Sequence, residues 1–415
     1  MTTELTPLGV ACNLSCTYCY QHPMRDAGNV GNKTPYDMEK MFAALEKAGG
    51  DFLVFGGEPL LVPLEDLRKI FAFGFARYKK NGIQTNGVLI TPAHLETFKE
   101  YNVHVGFSMD GPDELNDSRW AGTLERTREA TEKSHANLRA CVERGLSTSL
   151  IITLYKGNAS PAILPRLKDW LREIDALGIS SVRIHLLEVD HPLVRAKMQL
   201  STEDTIAAVR ELVALETSFS KVRLDILTDV RKLLRAQDDD VTCIWNPCDP
   251  YTTEAVQGID GQGNRTNCGR TNKDGIPRLK ADVSSFVRQV GLYHTPQEYG
   301  GCQGCRFFLM CKGQCPGTAI DGDWRNRSEQ CPIWFALFEE LERQLITAGE
   351  VPLSIAPDRL VLEPAMVQLW DQGGRTSLRA AREYIAKQSQ LVPAGDHPHG
   401  DAPHGDEHGD HWDGP

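Results

Sequence analysis

The chain has 415 residues, 41% of them hydrophobic, which leaves room for two or three domains with a large core. It contains no apolar run of about 18 residues, begins with no basic segment followed by an apolar one, and carries no basic stripe. These features argue against a membrane-spanning or nucleic-acid-binding protein, and we expect a cytoplasmic one.

The net charge of -11 is unevenly distributed along the chain. Six acidic residues and no Lys or Arg lie between Gly395 and Pro415, so the rest of the chain is only mildly acidic. The chain also has 12 Cys residues. In a long chain without an export signal, this number indicates metal or redox chemistry rather than disulfides.

Short apolar runs alternate with longer segments of helical period in the first half of the chain, which is typical of a parallel sheet with crossover helices. Six such units favour a partial barrel over a closed barrel of eight units. The predicted fold class is therefore α/β, with a partial (β/α)6, TIM-like barrel. The predicted strands are residues 5–10, 51–55, 82–85, 103–109, 147–154 and 181–187.

Helix signals agree with this pattern. Thr34 is a predicted N-cap, followed by Pro35 at the first helical position and Asp37 at the third, and Gly49 ends that helix. Ser201 opens another helix after the sheet, again as a hydroxyl cap followed by acidic residues.

Three Cys residues follow the first predicted strand with the spacing CxxxCxxC, namely Cys12, Cys16 and Cys19. Thiolates at this spacing can close over one face of a cubane iron-sulfur cluster and leave its fourth iron without a protein ligand. Short Cys clusters in intracellular proteins are also zinc sites, so the loop alone leaves both alternatives open.

Chemistry in parallel barrels gathers at the carboxyl ends of the strands. The second predicted strand is followed by Gly56, Gly57, Glu58 and Pro59. The two glycines let the backbone approach a ligand closely, and Glu58 can accept a hydrogen bond from an ammonium group. The simpler alternative for this segment is a turn that starts a helix.

CxxxCxxC followed downstream by GGEP resembles the radical S-adenosylmethionine (SAM) superfamily. The resemblance implies that the open iron chelates the amino and carboxylate groups of SAM, and that reductive cleavage yields a 5'-deoxyadenosyl radical. It also implies a SAM pocket in which Tyr18 contacts the adenine, Glu58 the amino group, Ser108 the ribose and carboxylate, Arg119 the carboxylate, and the Leu187 backbone the adenosine. The remaining implied pocket residues are Gly56, Gly57, Pro59, Asn86 and Asp110.

Three polar residues at the end of the sixth predicted strand are candidates for facing the substrate: His185, Glu188 and Asp190. Packing in the core or at the rim of the barrel is the alternative for each of them. No catalytic residue is assigned from the sequence.

A second set of Cys residues begins at Cys243, in a stretch rich in Gly, Asn and Asp. Such a density of thiols indicates metal, and two zinc sites with four thiolates each are one alternative. The set comprises Cys243, Cys248, Cys268, Cys302, Cys305, Cys311, Cys315 and Cys331. Cys141, outside both sets, is expected to be a buried structural thiol.

The spacing of this second set resembles the SPASM domain of radical SAM peptide maturases. The resemblance implies two auxiliary clusters with four thiolates each, suited to electron transfer or to a structural role. The implied ligands are Cys243, Cys248, Cys268 and Cys315 for the first cluster and Cys302, Cys305, Cys311 and Cys331 for the second. In sulfatase-maturing relatives an Asp follows the Cys that matches Cys268, whereas here Gly269 follows it, which makes that oxidation less expected.

Four segments are predicted: a radical SAM core at 1–225, a SPASM domain at 240–335, a helical extension at 336–392 and a disordered tail rich in His, Asp and Gly at 393–415. The predicted C-terminal helices are 334–346, 363–370 and 376–387. The alternatives for the tail are a solvated segment, weak divalent-metal binding and a substrate-like segment.

The resemblance implies an enzyme that takes a hydrogen atom from a ribosomally synthesised precursor peptide and installs a thioether or carbon-carbon crosslink. The implied cofactors are SAM and three 4Fe-4S clusters, one SAM-binding and two auxiliary. Implied partners are a flavodoxin with its reductase or a ferredoxin and, since no winged-helix module precedes the first Cys, a separate leader-binding protein. The alternatives are side-chain oxidation or epimerisation, or a non-catalytic iron-sulfur electron-transfer or scaffold protein.

Overall fold

The computed structural model describes residues 3–23, 36–252, 256–271 and 285–391. Nine strands lie in these ranges: β1 (Thr3–Thr6), β2 (Phe52–Val54), β3 (Asn81–Thr85), β4 (Val103–Ser108), β5 (Thr148–Leu154), β6 (Ser181–Leu186), β7 (Arg223–Leu224), β8 (Gln257–Asp260) and β9 (Arg265–Thr266).

Fourteen α-helices accompany them in the same ranges, eight of them before the seventh strand. These eight are α1 (Met38–Ala48), α2 (Leu64–Tyr78), α3 (Pro92–Glu100), α4 (Leu124–Glu143), α5 (Lys156–Ala159), α6 (Leu164–Leu177), α7 (Pro192–Met198) and α8 (Thr202–Glu216). The others are α9 (Asp225–Leu234), α10 (Val287–His294), α11 (Phe308–Cys311), α12 (Cys331–Thr347), α13 (Arg359–Asp371) and α14 (Leu378–Leu391).

The strands form one sheet in the order β7-β6-β5-β4-β3-β2-β1-β8-β9. Neighbouring strands are parallel from β7 through β8, and only β8 and β9 are antiparallel. Because the order is linear, the sheet is an unclosed barrel, which confirms the predicted α/β partial barrel. Strand β8 comes from the predicted second segment yet pairs with β1, so the two segments share one sheet.

The two faces of this sheet differ in chemistry. Alternate side chains of each strand point to opposite faces, and the outer face holds buried apolar residues such as Leu5, Ile83 and Leu150 beneath the helices. The register places a second, more polar row on the inner face of the barrel. This row includes Glu4, Gln84, Ser108, Arg183 and His185.

Strand β1 is shorter than predicted, because it ends at Thr6 instead of residue 10. Pro7 has no N–H for the ladder, and Gly9 adopts a φ of 56° that turns the chain. After this turn the backbone pairs with the segment that follows β2: the Gly57 N–H donates to the Gly9 carbonyl at 2.9 Å and the Glu58 N–H to the Ala11 carbonyl at 2.8 Å.

The predicted start of the first helix at Thr34 is wrong. Helix α1 begins at Met38, and the Asp37 side chain is its N-cap, accepting from the Lys40 N–H at 3.1 Å. Thr34 and Pro35 lie outside the described residues. The predicted hydroxyl cap at Ser201 is confirmed, since its Oγ accepts from the Asp204 N–H at 3.0 Å.

The three predicted C-terminal helices are present as α12, α13 and α14, each longer than predicted. Helix α12 packs against α8 and α9 of the barrel. The predicted disordered tail lies outside the described residues, and the four predicted segment boundaries stay predictions. Among the described helices, none combines the length and apolar character that a membrane crossing needs.

We predict that Gly57→Ala destabilises the fold by about 2 kcal/mol or more, because the added Cβ would lie 2.1 Å from the Ala11 carbonyl oxygen. Urea unfolding of the purified variant measures this. Gly291→Ala in α10 is the matched control, since no heavy atom lies within 4 Å of its added Cβ and the change is expected to be neutral or stabilising. Equal effects of the two substitutions would contradict the prediction.

Candidate active site

The loop with Cys12, Cys16 and Cys19 lies at the carboxyl ends of the first strands. It is pinned to the segment after β4 by two backbone hydrogen bonds, from Ser15 N–H to the Trp120 carbonyl at 2.7 Å and from Thr17 N–H to the Ser118 carbonyl at 2.8 Å. The structure therefore brings the three predicted metal-binding thiols together in one ordered loop.

The electrostatics of this loop confirm that its thiols are neighbours. Burial raises the pKa of the Cys16 thiol to about 12, Arg119 acts in the opposite direction, and the charges of Cys19 and Cys12 raise it further. A thiol with such a pKa stays neutral at pH 7 unless a metal stabilises its thiolate. The donor set thus suits a metal centre.

Two further side chains also hold this loop: His22, which was not predicted from the sequence, and Asn86. His22 Nε2 lies 2.7 Å from the Cys16 carbonyl oxygen, and Asn86 Nδ2 donates to Asn13 Oδ1 at 2.8 Å. His22 lies three residues after Cys19, which was the available signal. The contact between Asn13 and Asn86 joins the loop to the end of β3.

Gly56 and Gly57 let the segment after β2 pack closely against the backbone of residues 9–11. A Cβ on Gly56 would lie 2.4 Å from the Gly9 carbonyl oxygen, and Gly56 also has a φ of 129°. A Cβ on Gly57 would overlap the Ala11 carbonyl. The close approach predicted for a ligand is thus made by the loop that leads to Cys12.

Glu58 lies almost fully buried, with 1% of its surface exposed, and Pro59 begins the turn that follows it. Its Oε1 accepts from Thr85 Oγ1 at 2.7 Å and from the Leu60 N–H at 3.0 Å, and its Oε2 accepts from the Asn86 N–H at 2.8 Å. Burial raises the pKa of Glu58 and these three donors lower it. A carboxylate has about four acceptor sites, so one remains for a further donor such as an ammonium group.

Ser108 ends β4 on the inner face of the barrel. Its Oγ accepts from Gln84 Nε2 at 2.8 Å. Gln84 also lies against Gly106, where a Cβ would come within 2.3 Å of Gln84 Oε1. The structure therefore places Ser108 beside the amide of Gln84, which was not predicted as a site residue from the sequence.

Asp110 is the centre of a buried polar network, with none of its surface exposed. Arg119 donates two hydrogen bonds of 3.0 Å to its carboxylate, and the Tyr18 hydroxyl donates to the same carboxylate. The Arg119 guanidinium carbon also lies 5.9 Å from the centre of the Tyr18 ring. The three predicted SAM-pocket residues thus contact each other, with the fork of Arg119 on Asp110.

The same carboxylate organises the end of β5. Asp110 Oδ1 accepts from the Thr153 N–H at 2.9 Å, and Asn158 Nδ2 donates to the Asp110 carbonyl at 3.1 Å. Next to it, Tyr155 lies 5.6 Å from Tyr18 between ring centres. These contacts fix the Tyr18 ring at the mouth of the barrel.

The three substrate-facing candidates on and after β6 lie in two environments: His185 and Glu188 contact Arg270, whereas Asp190 lines a cavity. Arg270 bridges two of them: its Nη2 lies 2.5 Å from Glu188 Oε1 and 3.4 Å from His185 Nδ1. Burial lowers the pKa of His185 well below its usual range, and Arg270 adds to this effect, so the imidazole is neutral at pH 7. Arg270 is not among the residues predicted from the sequence, although Arg270 follows Cys268 by two residues.

Asp190 lines a cavity of about 560 Å³ whose wall also includes Arg270, Arg195, Tyr251 and Trp324. Between this cavity and the barrel, the Leu187 carbonyl accepts from Gln330 Nε2 at 2.9 Å. The Leu187 carbonyl thus has a side-chain partner next to Cys331, and the predicted contact of the Leu187 backbone with the adenosine stays a prediction.

Seven of the eight Cys residues of the second set fall into two neighbourhoods. Burial raises the pKa of the Cys243 thiol to about 12, with further increases from Cys315 and Cys268. Burial likewise raises the pKa of the Cys302 thiol to about 12, with further increases from Cys305 and Cys331. Burial, Cys302, Cys331 and Cys305 also raise the pKa of Cys311.

The thiols of these two neighbourhoods fall in the two predicted ligand sets, and Cys248, whose carbonyl accepts from Gln289 Nε2 at 3.4 Å, stays a predicted ligand of the first set. None of the 12 Cys residues forms a disulfide, and Cys141 is buried in the core as predicted. Within the described ranges, no group of three or more His, Cys, Asp or Glu is placed to hold a single metal ion.

Buried amides without partners surround the first of these neighbourhoods. Asn267, next to Cys268, has neither its Oδ1 nor its Nδ2 hydrogen-bonded within the described part of the chain, and it is 5% exposed. Gln314, next to Cys315, uses its Oε1 on the Cys315 N–H at 2.8 Å but leaves Nε2 unpaired among the described residues. Buried donors without acceptors are costly, and the sulfides of an iron-sulfur cluster would accept from them. The residues present fit such a group.

We predict that Asp110→Asn destabilises the protein by about 3 kcal/mol or more, because it leaves the buried Arg119 cation without its anion. Thermal unfolding monitored by circular dichroism measures the loss. Asp117→Asn breaks the more exposed pair with Arg128 and serves as the control, with an expected loss below about 1 kcal/mol. Similar losses for both variants would contradict the role assigned to Asp110.

Comparison with known proteins agrees with this geometry. The model of the radical SAM superfamily matches residues 6–160. The chain is 36% identical over 141 residues to the serine-type anaerobic sulfatase-maturating enzyme of Klebsiella aerogenes. This match covers 29% of this chain and 34% of that protein. The chain therefore matches only about a third of the length of that relative.

A longer match extends beyond the barrel. The chain is 35% identical over 345 residues to an uncharacterized protein of Archaeoglobus fulgidus, which covers 78% of this chain and 77% of that protein.

Two solved structures share the fold. The anSMEcpe structure with bound AdoMet and Cp18Cys peptide has a TM-score of 0.62 at 18% identity, covering 84% of this chain and 98% of that one. Streptococcus suis SuiB bound to precursor peptide SuiA has a TM-score of 0.52 at 15% identity, covering 80% of this chain and 76% of that one. The recognition made from the sequence is confirmed: the chain belongs to the radical SAM superfamily, and it shares its fold with these two structures.

Proposed function

We propose that this protein is a radical SAM enzyme that modifies a ribosomally synthesised peptide. The observation that carries the proposal is the convergence of the Cys12, Cys16 and Cys19 loop, Glu58 and the Asp110–Arg119 pair at the carboxyl ends of adjacent strands. This edge of a barrel is where catalytic groups collect.

The residues of this edge have distinct tasks in the proposal. Cys12, Cys16 and Cys19 hold a 4Fe-4S cluster, and Glu58 offers its remaining acceptor site to the amino group of SAM. Asp110 keeps Arg119 and Tyr18 oriented before SAM binds. When bound, the cluster and SAM together supply a 5'-deoxyadenosyl radical, while the protein excludes water and aims the substrate.

The second set of thiols is proposed to hold two auxiliary 4Fe-4S clusters. The two neighbourhoods of thiols and the unpartnered amides of Asn267 and Gln314 support this assignment over two zinc sites. Zinc sites hold no inorganic sulfide that could accept from these buried amides.

A peptide is the substrate class that best fits the cavity beside Asp190. Its volume of about 560 Å³ is that of a ligand pocket and would hold a few residues of a chain. Arg270 lines this cavity and also contacts Glu188 and His185, the latter on the inner face of the barrel. Binding of the Cp18Cys and SuiA peptides by the two structures named above supports the same class.

Two outcomes of peptide modification remain, namely a thioether or carbon-carbon crosslink and the oxidation of a side chain. The names of the sulfatase-maturating relatives favour oxidation. The contact at Gly269 favours the crosslink, because the Tyr20 ring fills the space that a side chain at 269 would need, 2.9 Å from the added Cβ. We therefore propose the crosslink and keep oxidation as the second candidate. An electron donor and a leader-binding protein complete the proposed partners.

We predict that Cys16→Ala abolishes formation of 5'-deoxyadenosine from SAM and dithionite under anaerobic conditions. The substitution removes one of the three thiols that hold the proposed SAM-binding cluster. Liquid chromatography of the quenched reaction measures the product. Cys141→Ala is the control, since this thiol is buried in the barrel away from both sets, and it is expected to retain product formation. Undiminished product from Cys16→Ala would refute the enzyme proposal.

We predict that co-expression with a small peptide encoded beside the gene yields a peptide lighter by two hydrogen atoms. Tandem mass spectrometry should show no fragments between the two linked residues, and hydrazine treatment should leave the mass unchanged. A product that reacts with hydrazine would contain an aldehyde and would replace the crosslink with side-chain oxidation.

A further inference from the structure

Helix α10 places one arginine between the two neighbourhoods of thiols. Arg288 is 2% exposed, and the next residue, Gln289, is fully buried with its Nε2 on the Cys248 carbonyl. Arginine carries a permanent positive charge and is rarely buried unless an anion is close. The burial of Arg288 therefore requires an electrostatic explanation.

Backbone carbonyls satisfy the hydrogen bonds of Arg288. Its Nε donates to the Trp324 carbonyl at 2.7 Å and its Nη1 to the Gln314 carbonyl at 2.9 Å. Its Nη2 donates to the carbonyls of Gly313 at 3.2 Å and Asn326 at 2.9 Å. These bonds tie Arg288 to the segment that contains Cys315.

Carbonyls do not neutralise the charge, and no carboxylate pairs with Arg288 in the described part of the chain. The other buried cation nearby shows the contrast. Lys312, directly after Cys311, is 2% exposed and has Asp238 at 3.2 Å. A buried cation without an anion costs several kcal/mol, so a stable fold must provide one at Arg288.

The anionic groups around Arg288 are cysteines from both predicted ligand sets. Burial lowers the pKa of Arg288, and the groups that act against burial are Cys248, Cys315, Cys302 and Cys311. Two of these belong to the first predicted ligand set and two to the second. As neutral thiols they leave the arginine uncompensated, whereas as metal-bound thiolates they supply negative charge on two sides of it.

We propose that Arg288 is the shared counter-ion of two negatively charged four-thiolate iron-sulfur centres and sets the reduction potential of both. This proposal rests on the two auxiliary clusters of the proposed function. Arg288 acts on the reaction only through the charge it places beside the two centres, and it does not contact the substrate. Its positive charge favours the reduced, more negative state of each centre, so its removal makes that state harder to reach.

The test is a reductive titration of the reconstituted full chain, followed by electron paramagnetic resonance. In Arg288→Met, both auxiliary centres are expected to shift to more negative midpoint potentials while the cluster on Cys12, Cys16 and Cys19 keeps its own. Arg288→Lys retains the charge with fewer hydrogen bonds and is expected to stay close to the original potentials. Arg235→Gln removes a surface arginine paired with Glu350 and is expected to change none of them.

Iron and sulfide content separates the outcomes. Full content with unchanged potentials in Arg288→Met overturns the proposal, and so does a shift of equal size in Arg235→Gln. If Arg288→Met fails to load iron but Arg288→Lys loads it, the requirement for a positive charge is supported. If both variants fail to load iron, Arg288 has a role in backbone packing only, and the proposal is overturned. Absence of auxiliary iron and sulfide from the unsubstituted protein would instead refute the proposed clusters themselves.

Discussion

The position of the first Cys loop depends on hydrogen bonds from three neighbouring strand ends. The end of β2 pairs with residues 9–11 through Gly57 and Glu58, and the end of β3 reaches Asn13 through Asn86. The segment after β4 holds Ser15 and Thr17, and Asp110 receives the Tyr18 hydroxyl. Because these contacts converge on one loop, its thiols are positioned by the sheet before any cofactor binds.

In the described part of the chain, buried cations are paired with carboxylates, with one exception. Arg119 has Asp110, Arg270 has Glu188 and Lys312 has Asp238, each within 3.2 Å. Arg288 has carbonyls instead of a carboxylate and lies among cysteines. The exception therefore marks the place where charge is missing from the protein and where bound clusters would supply it.

Much of the barrel could be predicted because strands β2 to β6 are short apolar runs between turns. Strands β7 to β9 were missed, since two of them have two residues and β8 contains Gly258 and ends in Asp260. The strand β1 was extended to residue 10, although Pro7 already ends its ladder. Local patterns do not report pairing between β1 and β8, which are distant in sequence.

The candidate site was predictable in membership but not in contacts. Spacing placed the 11 candidate metal-binding Cys residues in three groups, and in the structure ten of them lie near other members of their own group. The partner of Arg119 and the place of Arg270 were not predictable, because both depend on side chains from other strands. The glycines of GGEP were assigned to a ligand, whereas the tight contact is with the chain itself.

The most direct measurement is the iron and acid-labile sulfide content of protein purified and reconstituted without oxygen. Three 4Fe-4S clusters predict about twelve iron and about twelve sulfide per chain. Colourless protein that contains zinc and no sulfide would contradict the account.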